Sequence, residues 1–119
     1  MLPLPPGVRV FVATGRVDGR KGIDGLSALV RSQFREDPLS GTMYVFFSRR
    51  ADRVRVLYYD RDGYILVTKR LEKGSYRLPW RSEQGQVVIE AAELLLVLEG
   101  IELGGAARRA RWKPGPKAA

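Results

Sequence analysis

The sequence predicts an α+β domain built on a small antiparallel meander. Two observations carry this. Three runs rich in β-branched and aromatic residues, 42–48, 53–59 and 64–71, follow one another with short polar connections. Apolar residues at helical spacing precede these runs, and a second such stretch follows them. With 119 residues, 45% hydrophobic and 29% charged, the chain has the size and composition of one globular unit, expected over 1–103 with a basic tail at 104–119.

Taken in order, Pro3, Pro5 and Pro6 before Gly7 read as an extended lead-in. Residues 8–13 are apolar and β-branched apart from Arg9, a strand pattern, and 14–22 is a glycine-punctuated loop. From Asp24, the expected N-cap, Leu26, Leu29, Val30 and Phe34 follow the i, i+3, i+4 rule and predict a helix over 24–35. Its apolar face is expected to pack on the sheet. Asp37-Pro38-Leu39-Ser40-Gly41 supplies the stop.

In the meander, Arg49-Arg50-Ala51-Asp52 joins the first two strands. Asp60-Arg61-Asp62-Gly63 joins the second and third, with Gly63 expected to supply the positive φ of a hairpin turn. Residues 72–85 read as loop, anchored by Pro79-Trp80, and 87–89 as a short strand. A helix over 90–99 follows, with Leu94, Leu95, Leu98 and Ile101 apolar and Gly100 as its end.

Composition removes whole classes of chemistry. The chain has no cysteine and no histidine. Disulfides, thiol nucleophiles, serine–histidine catalysis and thiolate or imidazole metal sites are therefore excluded. No cofactor is expected. The opening Met-Leu-Pro-Leu-Pro-Pro lacks the basic flank and apolar core of a signal peptide, and no apolar run reaches the roughly 18 residues that span a bilayer. The expectation is a cytoplasmic protein without a membrane partner.

Charge points the other way, toward a partner. There are 21 Lys and Arg against 13 Asp and Glu, a net +8, which suits a polyanion such as nucleic acid. The excess is uneven: +4 over 1–35, +2 over 36–71, −3 over 72–107 and +5 over the last twelve residues. Arg49, Arg50, Arg53 and Arg55 are dense, and strand alternation puts Arg53, Arg55 and Tyr59 on one face. Tyr59 there is placed to stack on a base, whereas exposed charges that discourage edge aggregation are the competing explanation. Asp18-Gly19-Arg20-Lys21-Gly22 lies before a helix, where Arg20 and Lys21 with free backbone N–H groups suit a phosphate. Alternatively Asp18 pairs with a nearby arginine to fix the loop. In the tail, Arg108, Arg109 and Arg111 suit a mobile nucleic-acid arm or a solvating end. Asp60 and Asp62 share one turn, a pair that suits Mg²⁺ for nuclease chemistry or simply a hairpin.

Several ordered blocks then become recognisable. They are Pro3-Leu4-Pro5-Pro6-Gly7, Asp18-Gly19-Arg20-Lys21-Gly22-Ile23-Asp24-Gly25-Leu26, Asp37-Pro38-Leu39-Ser40-Gly41 and Val45-Phe46. Further on come the run from Arg49 through Gly63, Lys69-Arg70-Leu71-Glu72-Lys73-Gly74 and Leu98-Glu99-Gly100-Ile101-Glu102. Together, over about residues 2–103, they closely resemble the TnpB accessory proteins of insertion-sequence-66 transposons. That family is the second-open-reading-frame product and is distinct from the RNA-guided nucleases that share the name. The resemblance implies a part in DNA transposition beside a separate transposase that carries the acidic catalytic residues. It brings no active site with it and implies a protein that is not an enzyme. Ala51 stands where the family often has Gly, Tyr59 where it often has Trp, and Glu90 where a Ser or Thr cap is common.

The sequence-level expectation is thus a non-catalytic accessory protein, associated with the bacterial nucleoid when DNA-bound. Its expected DNA contacts are Arg20, Lys21, Arg49, Arg50, Arg53, Arg55, Arg108, Arg109 and Arg111, and its expected protein partners are the transposase and other element-encoded proteins. One alternative is a pure protein-interaction subunit docking through the acidic 90–102 helix. Another is a metal-dependent nuclease using Asp60 and Asp62.

Overall fold

In the computed structural model, which describes residues 7–100, the three central runs form the expected meander of β2 (Met43–Phe47), β3 (Arg53–Asp60) and β4 (Gly63–Arg70). Both pairings are antiparallel, with Val45 opposite Val56 and Leu57 opposite Leu66. The sheet is larger than the meander. β1 (Arg9–Arg16) lies parallel to β2 on one side and antiparallel to β5 (Gln86–Glu90) on the other, giving the order β4-β3-β2-β1-β5. The sheet is therefore mixed rather than purely antiparallel. A parallel pair needs a long crossover, and α1 (Ile23–Ser32) with its flanking loops supplies it.

Strand alternation sorts the apolar residues into two cores. On one face Phe11, Ala13, Tyr44, Phe46 and Leu57 meet Leu26, Val30 and Phe34 from α1 and the segment after it. The expected packing of this helix on the sheet is observed. Leu26 and Val30 are fully buried, each contributing about 1.5–3 kcal/mol. Phe11 sits 5.4 Å centroid to centroid from both Phe34 and Tyr44. On the other face Val10, Val12, Val45, Phe47, Val54 and Val56 meet Leu94 and Leu98 of α2 (Ala91–Leu98).

Local expectations hold in most places and shift in three. The N-cap of α1 is Gly22, which has no side-chain cap bond, while Asp24 sits inside the first turn, where its charge favours the helix dipole. The helix ends at Ser32, three residues before the expected limit, and Phe34 still reaches the core from beyond the cap. In the β3–β4 turn the positive φ belongs to Arg61 (56°) rather than Gly63. A bond from the Asp62 N–H to the Asp60 carbonyl pulls the chain into a three-residue turn centred on Arg61.

The Asp37–Ser40 stop behaves as its composition requires: the Asp37 side chain accepts from the Leu39 N–H at 3.0 Å, and its carbonyl accepts from the Ser40 N–H. The hydroxyl of buried Tyr44 donates to that same carbonyl at 3.1 Å. Trp80 is the anchor expected of the 72–85 loop, donating its indole N–H to Glu93 of α2 at 2.7 Å and packing 6.3 Å from Phe47. Tyr76, in the same loop, is buried against Phe47 as well. Ala51 has φ 54°, the left-handed conformation that costs a side chain about 1–2 kcal/mol and favours Gly. Its N–H and carbonyl are held by Ser48 and Tyr76. Ile101, the lead-in before Gly7 and the 104–119 tail lie outside the described residues.

Candidate nucleic-acid interface

The loop after β1 and the β2–β3 loop meet at one end of the sheet. The Val17 N–H donates to the Phe47 carbonyl at 2.9 Å, and Arg16 reaches the Arg49 carbonyl at 3.3 Å. Gly19 lies so close to the second loop that a Cβ built there would stand 3.6 Å from Nη1 of Arg53 and 3.9 Å from Cβ of Ser48. Between the loops is an open cleft of about 240 Å³, lined by Gly19, Ser48, Arg49, Arg50, Asp52 and Arg53.

Each loop has internal order. Ser48, the one buried polar residue of the described chain, donates to Asp52 at 2.9 Å and accepts from the Arg53 N–H at 3.1 Å. The same loop is tied from behind by the Leu71 N–H on the Asp52 carbonyl. In the first loop, Asp18 accepts from the Arg20 backbone N–H at 2.9 Å and from Nε and Nη2 of its guanidinium at 3.2 and 2.9 Å. These side-chain and backbone bonds, with the charges of Arg20 and Arg49, hold the Asp18 carboxyl well below the usual carboxylate range. The competing reading of the sequence, that Asp18 fixes the loop through a neighbouring arginine, is what the geometry displays. Arg20 remains highly exposed while doing so.

Arg55 takes a different position from its neighbours. Its Nη1 donates to the Gly19 carbonyl at 3.2 Å and to the Lys21 carbonyl, so it holds the first loop from beneath. Burial, and then the adjacent Arg53 charge, lower its pKa from the ordinary guanidinium value. Lys21 emerges just above, its stem against the first turn of α1 where Gly25 leaves it room: a Cβ there would come within 3.3 Å of the Lys21 chain.

The structure thus brings together Arg20, Lys21, Arg49, Arg50, Arg53 and Arg55, and adds Arg16, which the sequence reading did not select. Arg16 follows an irregularity in β1 pairing after Val12, so simple alternation could not orient it. Both acids of this surface are committed, Asp18 to Arg20 and Asp52 to Ser48. Arg49, Arg50 and Arg53 have no acidic partner among the described residues. Tyr59 lies farther along β3, edge-on to Tyr64 at 5.2 Å. Arg108, Arg109 and Arg111 lie outside the described residues.

Asp60 and Asp62 sit at the far end of β3, about 23 Å from Arg53 at the usual strand rise. Among the described residues no group of three or more His, Cys, Asp or Glu is placed to hold a metal ion. No described helix is long and apolar enough to cross a membrane.

Fold and surface define a small basic α+β protein with an open arginine-lined cleft. Its sequence places it further: the family model described as IS66 Orf2 like protein matches residues 8–108, and the chain belongs to that family. It is 41% identical over 96 residues to the uncharacterized protein y4jC of Sinorhizobium fredii, covering 81% of this chain and 81% of that protein. To y4hO of the same organism, also uncharacterized, it is 37% identical over 102 residues, covering 86% and 88%. No solved structure matches. Membership implies an accessory protein of an insertion sequence, involved with the transposition machinery.

Proposed function

We propose that this protein is a non-catalytic accessory factor of DNA transposition that grips the DNA backbone with the arginine surface between its two loops. It works in the bacterial cytoplasm beside the element's transposase. The observation that carries the reading is the cluster itself: Arg49, Arg50 and Arg53 line one open cleft, without acidic partners among the described residues. Unneutralised guanidinium groups at an open surface are what phosphate contacts require. Because such contacts address the backbone and not base edges, binding is weakly sequence-selective. Arg16, Arg20 and Lys21 extend the surface, and Arg55 positions the loop that carries Arg20 and Lys21.

Mixing the pure protein with labelled element-end DNA, with and without Mg²⁺, tests the proposal. A mobility shift independent of Mg²⁺ is expected. Absence of a shift, with transposase still captured by the protein, would favour a pure interaction subunit. Cleavage dependent on Mg²⁺ would transfer the function to Asp60 and Asp62.

A further inference from the structure

We propose that β4 is the self-association edge of this protein and pairs antiparallel with β4 of a second copy. β4 is an outermost strand of eight residues, bonded on one side to β3 only. Its backbone phase is fixed by two observations. Leu71 donates to the Asp52 carbonyl, and Asp52 and Leu71 continue the register in which Arg53 faces Arg70. Residues 63, 65, 67, 69 and 71 therefore turn their N–H and C=O groups to β3, and Tyr64, Leu66, Thr68 and Arg70 turn theirs outward. Among the described residues those outward groups have no strand to pair with.

Edge strands are usually protected by a proline, a bulge or a charge. Residues 63–68, Gly-Tyr-Ile-Leu-Val-Thr, contain no proline or charge, and the β3–β4 register runs without a shift. The charges come only at the two ends, and they are complementary. A two-fold axis through Leu66 sets Leu66 against itself, Tyr64 against Thr68 and Ile65 against Val67. Asp62 of each copy then faces Arg70 of the other, whose contact within its own chain is a long, exposed 4.0 Å pair with Glu72.

Neighbouring registers are worse. Centring on Val67 brings Asp62 opposite Glu72, two like charges, and Ile65 opposite Lys69. Centring on Ile65 sets Asp62 against Thr68, away from Arg70, and loses the Tyr64–Thr68 pairing. Charge complementarity thus selects both the occupant, a second copy, and its register. The result is a continuous ten-stranded sheet.

Sedimentation over about 1–100 μM, where small interfaces associate, tests this without reference to DNA. Wild-type protein is expected to pass from monomer to dimer in that range. Thr68→Pro removes an outward N–H without breaking a bond to β3, so it should leave the melting curve near wild type and abolish the dimer. Asp62→Arg should weaken association about tenfold, and adding Arg70→Asp should restore it. The charge-swap pair decides the matter even if the proline variant fails to fold. A wild-type monomer at 100 μM, a dimer unaffected by Thr68→Pro, or failure of the double swap to restore association would overturn the proposal. Loss of DNA binding by a protein that still dimerises through β4 would overturn only the function proposed above.

Discussion

Removing the Arg55 side chain separates a positioning role from a contact role within one basic surface. Its guanidinium donates to two carbonyls of the first loop, Gly19 at 3.2 Å in a part-buried setting and Lys21 in an exposed one. A hydrogen bond to a charged group is worth about 1.5–3 kcal/mol when water is excluded, and far less where water replaces it. The Gly19 bond then accounts for about 1.5 kcal/mol and the Lys21 bond for a few tenths, so Arg55→Ala should destabilise the fold by about 2 kcal/mol. At roughly 4 °C per kcal/mol for a chain of this size, the melting temperature should fall by about 8 °C. Hydrogen exchange should quicken at residues 18–22 while β1 and β2 stay protected. DNA affinity should drop as well, through the displaced Arg20 and Lys21. Arg55→Lys should recover only part of the stability, since an ammonium cannot reproduce the planar fork. An Arg55→Ala protein that melts within about 1 °C of wild type would refute this assignment.

Other expectations follow from single contacts. Tyr44→Phe removes the donor to the Asp37 carbonyl and should cost about 1 kcal/mol, read as a fall of a few degrees in the melting curve. Asp18→Asn takes one negative charge from the basic surface and releases Arg20; DNA affinity at low salt should rise about threefold and the salt slope steepen by about one unit, both read by titration. Because the folded-state pKa of Asp18 is lowered, its stabilising contribution is complete above the ordinary value near 3.8 and is lost only as pH falls below that and through the folded value. With no histidine in the chain, melting temperature and DNA affinity should stay flat between about pH 5.5 and 7.5, and a pH series of both quantities checks this.

Much of the fold was legible because its signals are local. Period-two alternation in 42–71 and the Asp-Arg-Asp-Gly turn specify the meander, and helical spacing from Leu26 to Phe34 specifies the face that α1 buries. Alternation could mark β1 as a strand but not choose its neighbours, since pairing with β2 and β5 is settled by distant packing on both faces. The same limit applies to the candidate site. The arginine density at 49–55 is visible in the sequence, and alternation correctly unites Arg53 and Arg55 on one face. Which of them is covered depends on a loop 36 residues earlier, and only the folded chain brings Gly19 over Arg55. Arg16 was hidden by the β1 irregularity, and Tyr76 by its place in a loop with no periodicity.

The salt dependence of duplex binding tests the central claim most directly. Arg16, Lys21, Arg49, Arg50 and Arg53 are the cations of this surface held neither by a carboxylate among the described residues nor, as Arg55 is, by two backbone carbonyls beneath the first loop. Five phosphate contacts give a log–log slope of about −4.5 at roughly −0.9 per contact. Arg49→Ala combined with Arg50→Ala removes two exposed side chains from a hairpin tip whose order comes from Ser48, Ala51 and Asp52. The double variant should keep its melting temperature, bind all sequences more weakly by a similar factor, and give a slope shallower by about two units. A wild-type slope near zero, or a double variant with undiminished DNA affinity, would contradict the account.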